Sequence, residues 1–338
     1  MAGKKNLAAV PGTFLFRSLH PGVRLGTASD RYSGWTGQIY SDSLYEGRIT
    51  SRRKTVGGRP FTEKVLPVDS VREYFEHFAI LEIDATFYQS LIDREGKLTR
   101  NYHLLSAYRE FLQEDDMILL KVPQSVFAPK VPARGKYVDN PEYLDAEAFT
   151  SRFYEPAVRI LEPFLGGFIF EQAYQRKKDR STVGETAGSL DEFFSAVPRD
   201  NRYHVELRTA GLMSAEVFSV FEKYGLGQVL AHWTWLPSLI EQFDKSGRTF
   251  FNSGQRVVIR LLTPRGKRYE ETYVEAFPFD SLVDGMLSHR MIDETVELMR
   301  IAIEEGVRID VIINNRAGGN APLIARAIAD KFLSGNNS

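Results

Sequence analysis

The sequence predicts an α/β protein, a closed (βα)8 barrel of TIM type with extended βα loops. Three observations predict it. Short apolar, β-branched runs alternate with stretches of helical periodicity, the pattern of a parallel sheet. Eight such units occur, which suits a closed barrel better than an open doubly wound sheet, the structural alternative. The turn after the first strand has no Gly-x-Gly-x-x-Gly, which weakens a dinucleotide-binding open sheet further. No internal repeat and no linker divides the 338 residues. Residues 23–333 therefore read as one barrel, with an N-terminal arm over 1–22, an insertion at about 40–66 and a disordered tail over 334–338.

The elements follow in order. Val23–Thr27 is the first strand. Residues 30–68 are polar, Gly-rich and irregular. Asp69 caps a helix carrying Val71, Tyr74, Phe75 and Phe78 at helical spacing. Ile80–Asp84 is the second strand and a helix follows around 100–112. Met117–Val122 is the third strand. Residues 145–165 have helical period, with Pro156 placed to kink or split them. Gly167–Glu171 is the fourth strand, and Ser189 with Glu192 reads as a capping box for a short helix. Tyr203–Leu207, Gln228–Ala231 and Arg256–Leu261 are the next three strands. Their helices begin at Ser214, near Pro237 and near residue 288. The last strand, 309–313, runs into Asn314-Asn315-Arg316-Ala317-Gly318-Gly319 and a helix over 322–333.

Composition bounds the chemistry. Hydrophobic residues make up 43% and charged residues 26%, those of an ordinary globular chain. The net charge of −1 supplies no global field toward nucleic acid or membrane. The absence of cysteine excludes disulfides, Cys-ligated zinc, iron–sulfur clusters and a thiol nucleophile. No apolar run spans a bilayer. A cytoplasmic location is the expectation, with no membrane partner.

Several motifs together resemble the YecE-like family, also called domain of unknown function 72. They are Arg24-Leu25-Gly26-Thr27, Glu82-Ile83-Asp84-Ala85-Thr86-Phe87-Tyr88, Val205-Glu206-Leu207-Arg208, Val258-Ile259-Arg260-Leu261 and Asn314–Pro322. The resemblance covers about residues 23–333 and implies a TIM-type barrel with no agreed activity. The chain departs from the family pattern at Ala28-Ser29-Asp30, where Ser-Gly-Trp is usual and Trp35 is the candidate replacement. It also departs at Phe170-Glu171-Gln172, at Arg316 in place of an acid, and in the larger insertion.

In such a barrel the site lies at the C-terminal strand ends, where the βα loops cluster. The polar residues there are the candidates. Glu171, Glu206 and Asp84 are the candidate acids and bases. Thr27, Ser29, Thr86, Tyr88, Lys121, Arg208, Arg260, Asn314, Asn315 and Arg316 are the candidate ligand-binding residues. Glu82, in mid-strand, reads instead as the partner of a barrel cation. No metal site and no cofactor is predicted. His232 with strand-end carboxylates leaves a divalent ion as the less favoured option, since the six histidines form no His-x-x-x-His.

Segments 47–62, 128–138, 174–184 and 263–269 hold fifteen cations and one anion. All four follow strands, so they predict a positive rim. Two readings result. In the first the pocket binds an anionic ligand, a nucleic acid or a phosphorylated metabolite, with Tyr137, Tyr174, Trp233 and Trp235 available to stack bases. In the second a hydrolase or isomerase acts on a phosphorylated sugar through the strand-end carboxylates.

Overall fold

The computed structural model describes residues 11–133, 135–175 and 180–335. Residues 1–10 of the arm, residues 336–338 of the tail, and the rim residues Arg134, Arg176, Lys177, Lys178 and Asp179 lie outside them. The strands are β1 (Val23–Ala28), β2 (Thr50–Val56), β3 (Arg59–Val65), β4 (Ile80–Ile83), β5 (Met117–Lys121) and β6 (Lys130–Ala133). They continue with β7 (Lys136–Asp139), β8 (Leu165–Glu171), β9 (Tyr203–Glu206), β10 (Gly227–His232), β11 (Arg256–Leu261) and β12 (Arg308–Ile313). Eight close a barrel in the order β1-β12-β11-β10-β9-β8-β5-β4, every pair parallel. They are the eight runs predicted from the sequence, with ends shifted by one or two residues.

Strand alternation gives the barrel an inside built in layers. Ala28, Ile80, Leu119, Ile169, Val229, Val258 and Ile312, one from each of seven strands, pack into a single apolar cluster. Below that cluster Arg24, His204, Arg256 and Asp310 make a charged lower layer. Residues two positions toward the C-terminus include Glu82, Lys121, Glu171 and Arg260, which make a charged upper layer. The outward residues, such as Leu25, Leu81, Val257 and Val311, pack against the surrounding helices in the main core. Two inward glycines make the inside fit. A Cβ on Gly26 would lie 2.0 Å from the Ile80 carbonyl oxygen, and one on Gly227 would lie 2.2 Å from the His204 ring.

Four local expectations are corrected. The helix after β8 is not short and is not capped by Ser189. It runs Val183–Ala196, and its capping box is Thr182 with Glu185. Asp69 sits inside a 3-10 turn, and the helix that follows is Val71–His77. Pro156 does not split its helix. The helix opens with Asp145 accepting the Ala148 N–H at 2.9 Å, widens into a π turn over Thr150–Tyr154, and continues as Glu155–Leu161. The π turn immediately before the proline relieves the clash and missing donor of a helical proline. The irregular insertion contains the antiparallel hairpin β2–β3, closed by Gly57 and Gly58 with φ of 56° and 77°. Two left-handed residues are what a tight hairpin turn needs, and the Gly–Gly pair was the available signal. The arm is also docked over its described part. Phe16 and Leu19 are buried, and Arg17 donates to the Phe75 and Phe78 carbonyls and to Asp116. Among the described residues no helix is long and apolar enough to cross a membrane.

Candidate functional site

The upper layer is the floor of a cavity of about 630 Å³ at the C-terminal strand ends. The floor is an ion network around Arg260 of β11, which is almost fully buried. Arg260 grips both oxygens of Glu82 from β4, through Nε at 2.8 Å and Nη2 at 2.6 Å. Its Nη1 donates to Glu206 of β9 and, at 3.0 Å, to Glu171 of β8. Lys121 of β5 pairs with Glu171 at 2.7 Å and with Asp84 at 3.1 Å. Arg208 pairs with Glu171 at 2.9 Å and Glu206 at 2.7 Å. One oxygen of Glu171 thus receives three cations.

Burial makes each of these charges costly alone, and the network offsets that cost because every member faces an opposite charge, Arg260 and Glu171 three each. The titration behaviour follows. Burial would raise the Glu171 carboxyl, but Arg208, Lys121 and Arg260 outweigh it and hold it far below the carboxylate range. Burial likewise opposes the ionised form of Asp84, and Lys121 with Arg260 overcomes it, leaving its carboxyl below the usual value. At Glu82 burial dominates the attraction of Arg260 and raises the carboxyl. Lys121 keeps its proton above the usual range, because Asp84 and Glu171 outweigh its burial.

The walls come from the loops. Ser29 lies in the left-handed region, φ 66°, and turns the chain from β1 into Asp30 and Arg31. The hairpin β2–β3 contributes Arg52, Lys54 and Glu63, and the helix Tyr269–Ala276 contributes Tyr269 and Tyr273. Glu63 ties the two together, accepting from Tyr273 Oη at 2.5 Å and pairing with Arg52 and Lys54. Among the described residues eight cations and four carboxylates line the cavity, with Glu82 and Glu206 beneath it. Among the described residues, Arg31, Arg100 and Arg316 of that lining have no carboxylate within salt-bridge distance. Arg316 lies over the Tyr269 ring at 4.1 Å, and its buried Nε has no partner.

The candidates therefore separate. Asp84, Glu171, Ser29, Tyr88, Lys121, Arg208, Arg260, Asn314, Asn315 and Arg316 line the cavity. Three do not. Glu206 is buried beneath Arg260 and Arg208. Thr27 donates to the Ser29 carbonyl oxygen at 2.7 Å and sits against Tyr74, while Thr86 donates to the Lys121 carbonyl oxygen at 2.7 Å. Both threonines brace strand ends. The amides brace as well as line: Asn314 accepts from the Arg316 N–H, and Asn315 accepts from Trp35 Nε1 at 3.1 Å and the Ala321 N–H at 2.8 Å. Trp35 is thereby anchored on the end of β12. His232 is buried, and desolvation pushes it down to about 4. Among the described residues no three His, Asp or Glu side chains gather into a metal-holding group.

The sequence reading missed Asp30. It is buried in the cavity wall, accepts from Tyr108 Oη at 2.7 Å through Oδ1, and leaves Oδ2 without a partner. Burial raises its carboxyl to about 6, against the pull of Arg31 and the Tyr108 hydrogen bond. Its position one residue beyond the first strand turn was the signal, obscured because the run Ala28-Ser29-Asp30 reads as an ordinary turn.

A family model for Protein of unknown function DUF72 matches residues 24–337. The chain belongs to the DUF72 family. Two solved DUF72 family proteins share the fold. The one from Enterococcus faecalis has a TM-score of 0.54 at 14% identity, over 92% of this chain and 95% of its own. The one from Thermotoga maritima has a TM-score of 0.54 at 13% identity, over 92% and 99%. No curated protein matches this member of the family.

Proposed function

We propose that the cavity of this DUF72 protein binds a phosphorylated small molecule. The observation that carries the reading is the trio Arg31, Arg100 and Arg316, cavity-lining cations with no carboxylate partner among the described residues, above a floor whose own charges are already paired. A phosphate group supplies the missing negative charge, and guanidinium groups suit its geometry. A cavity of this size also fits a small-molecule site.

A nucleic-acid partner has weaker support, because part of the basic rim is neutralised within the chain. Arg48 pairs with Asp69, Arg52 and Lys54 with Glu63, and Lys267 with Glu275. Calorimetric titration with inorganic phosphate and ribose 5-phosphate tests the reading. Saturable binding that weakens in the Arg31→Ala and Arg316→Ala variants supports it, and no binding by either probe at low salt overturns it.

One observation favours a hydrolase or isomerase acting on that ligand. Asp30 is the cavity carboxyl whose raised value of about 6 suits proton exchange near neutral pH. Glu171 fits that role poorly, since three cations keep it ionised, and Glu206 does not reach the cavity. On this reading Asp30→Asn abolishes turnover of a phosphorylated sugar while leaving its binding intact; loss of binding alone would count against it.

A further inference from the structure

The mouth of the cavity is divided by residue type around the barrel. β12, β1 and β4 are neighbours in the closed sheet, and the segments that follow them carry Arg316, Arg31 and, at the start of the helix Arg100–Arg109, Arg100. β8, β9 and β10 are neighbours on the other side, and the residues that follow them include Tyr174, Arg208, Trp233 and Trp235. Single strands, β5 with Lys121 and β11 with Arg260, separate the two arcs.

The aromatic arc is a built surface. The Tyr174 ring lies 5.9 Å from Trp233 and 6.2 Å from Trp235, centre to centre. Arg208 stacks on Trp233 at 4.8 Å while its guanidinium is held by Glu171 and Glu206, so the shelf is fixed to the floor network. Trp233 reaches the cavity wall. Tyr174 is 43% exposed and Trp235 48%, so large ring area stays open to solvent beside the cavity. Exposed clustered rings of this kind are what planar ligands use.

We infer that the ligand is a nucleoside monophosphate, with its phosphate at Arg31, Arg100 and Arg316 and its base on the Tyr174, Trp233 and Trp235 rings. The inference rests on the phosphorylated-ligand reading above and adds the part of the ligand that the arginines do not see. The opposed arcs require a molecule with an anionic end and a flat end, joined by a polar spacer that can cross the charged floor. A sugar phosphate has the first end and the spacer but no base to lay on the shelf.

The test titrates the full chain with ribose 5-phosphate and with adenosine 5′-monophosphate, followed by calorimetry and by tryptophan fluorescence. The nucleotide should bind at least about tenfold more tightly than the sugar phosphate, the scale of one stacked base. Trp235→Ala and Tyr174→Ala, both at exposed positions, should remove that preference and leave ribose 5-phosphate affinity unchanged. Equal affinity for the two probes overturns the inference and leaves the phosphate reading standing. So does a nucleotide preference that survives both substitutions. Failure of both probes to bind removes the phosphate reading, and the inference with it.

Discussion

The barrel buries charge at both ends, and the two clusters are built differently. At the lower end Asp310 accepts from Arg24 at 2.7 and 3.0 Å and from Arg256 at 3.0 Å, and Arg256 also caps the Gly166 carbonyl oxygen at 2.7 Å. Three adjacent strands supply it, and the neighbouring His204 is kept neutral, pushed down to about 4 by burial and Arg256. At the upper end four carboxylates and three cations come from β4, β5, β8, β9 and β11 or the residues just after them, and Asp84 keeps 30% of its side chain exposed to the cavity. The lower cluster closes the barrel. The upper cluster does that and also presents charge to a space. The lower ion pairs join sheet neighbours, whereas Arg260 of the upper cluster reaches across the barrel to carboxylates of β4, β8 and β9.

The largest expected effect follows from the centre of the upper cluster. Arg260→Met strands Glu82 and Glu206 without their main partner and should cost about 3–5 kcal/mol in urea unfolding. A loss below about 1 kcal/mol would mean that the upper cluster does not help to hold the barrel closed and would break the contrast.

Asp30→Asn tests the wall above that floor. The folded Asp30 keeps its proton up to about pH 6, against 3.8 for an ordinary aspartate. The folded state therefore binds more protons between these values, and this group's contribution to stability is full below about 3.8 and lost as pH rises through 6. Relative to the parent, the variant should gain up to about 3 kcal/mol between pH 3.8 and pH 7. Parallel stability–pH curves for the two proteins would show that the carboxyl is not perturbed.

Asp310→Asn should cost about 2 kcal/mol, because charge-assisted hydrogen bonds weaken but an acceptor remains. Ribose 5-phosphate affinity should not change, and a change would erase the distinction between brace and site. Arg316→Ala has the smallest effect on stability, within about 0.5 kcal/mol. It should weaken ribose 5-phosphate binding about tenfold, by calorimetry, through loss of one charge-assisted contact.

Much of the fold was legible in the chain because strand and helix periods are local. Eight runs such as Arg256–Leu261 and Arg308–Ile313 announce themselves within about six residues. Alternation then sorts each run into inward and outward residues, which is why Asp84, Glu171 and Lys121 were readable as pocket residues and Glu82 as the partner of a cation. The Thr182–Glu185 capping box was written in the same local code and was misplaced, since Ser189–Glu192 matches the pattern equally well. The β2–β3 hairpin was hidden by its charge, as its strands carry little apolar alternation.

What the sequence by itself determined was the order of the strands, their inward residues and the end of the barrel at which polar groups collect. Only the tertiary structure decided that Arg260 grips Glu82 across 178 residues. It also withdrew Thr27, Thr86 and Glu206 from the cavity, brought a loop hairpin against the helix Tyr269–Ala276, and left Arg31, Arg100 and Arg316 with no carboxylate partner among the described residues. The reason is physical: backbone periodicity is set by each residue's near neighbours, whereas charge pairing depends on which strands meet when the sheet closes.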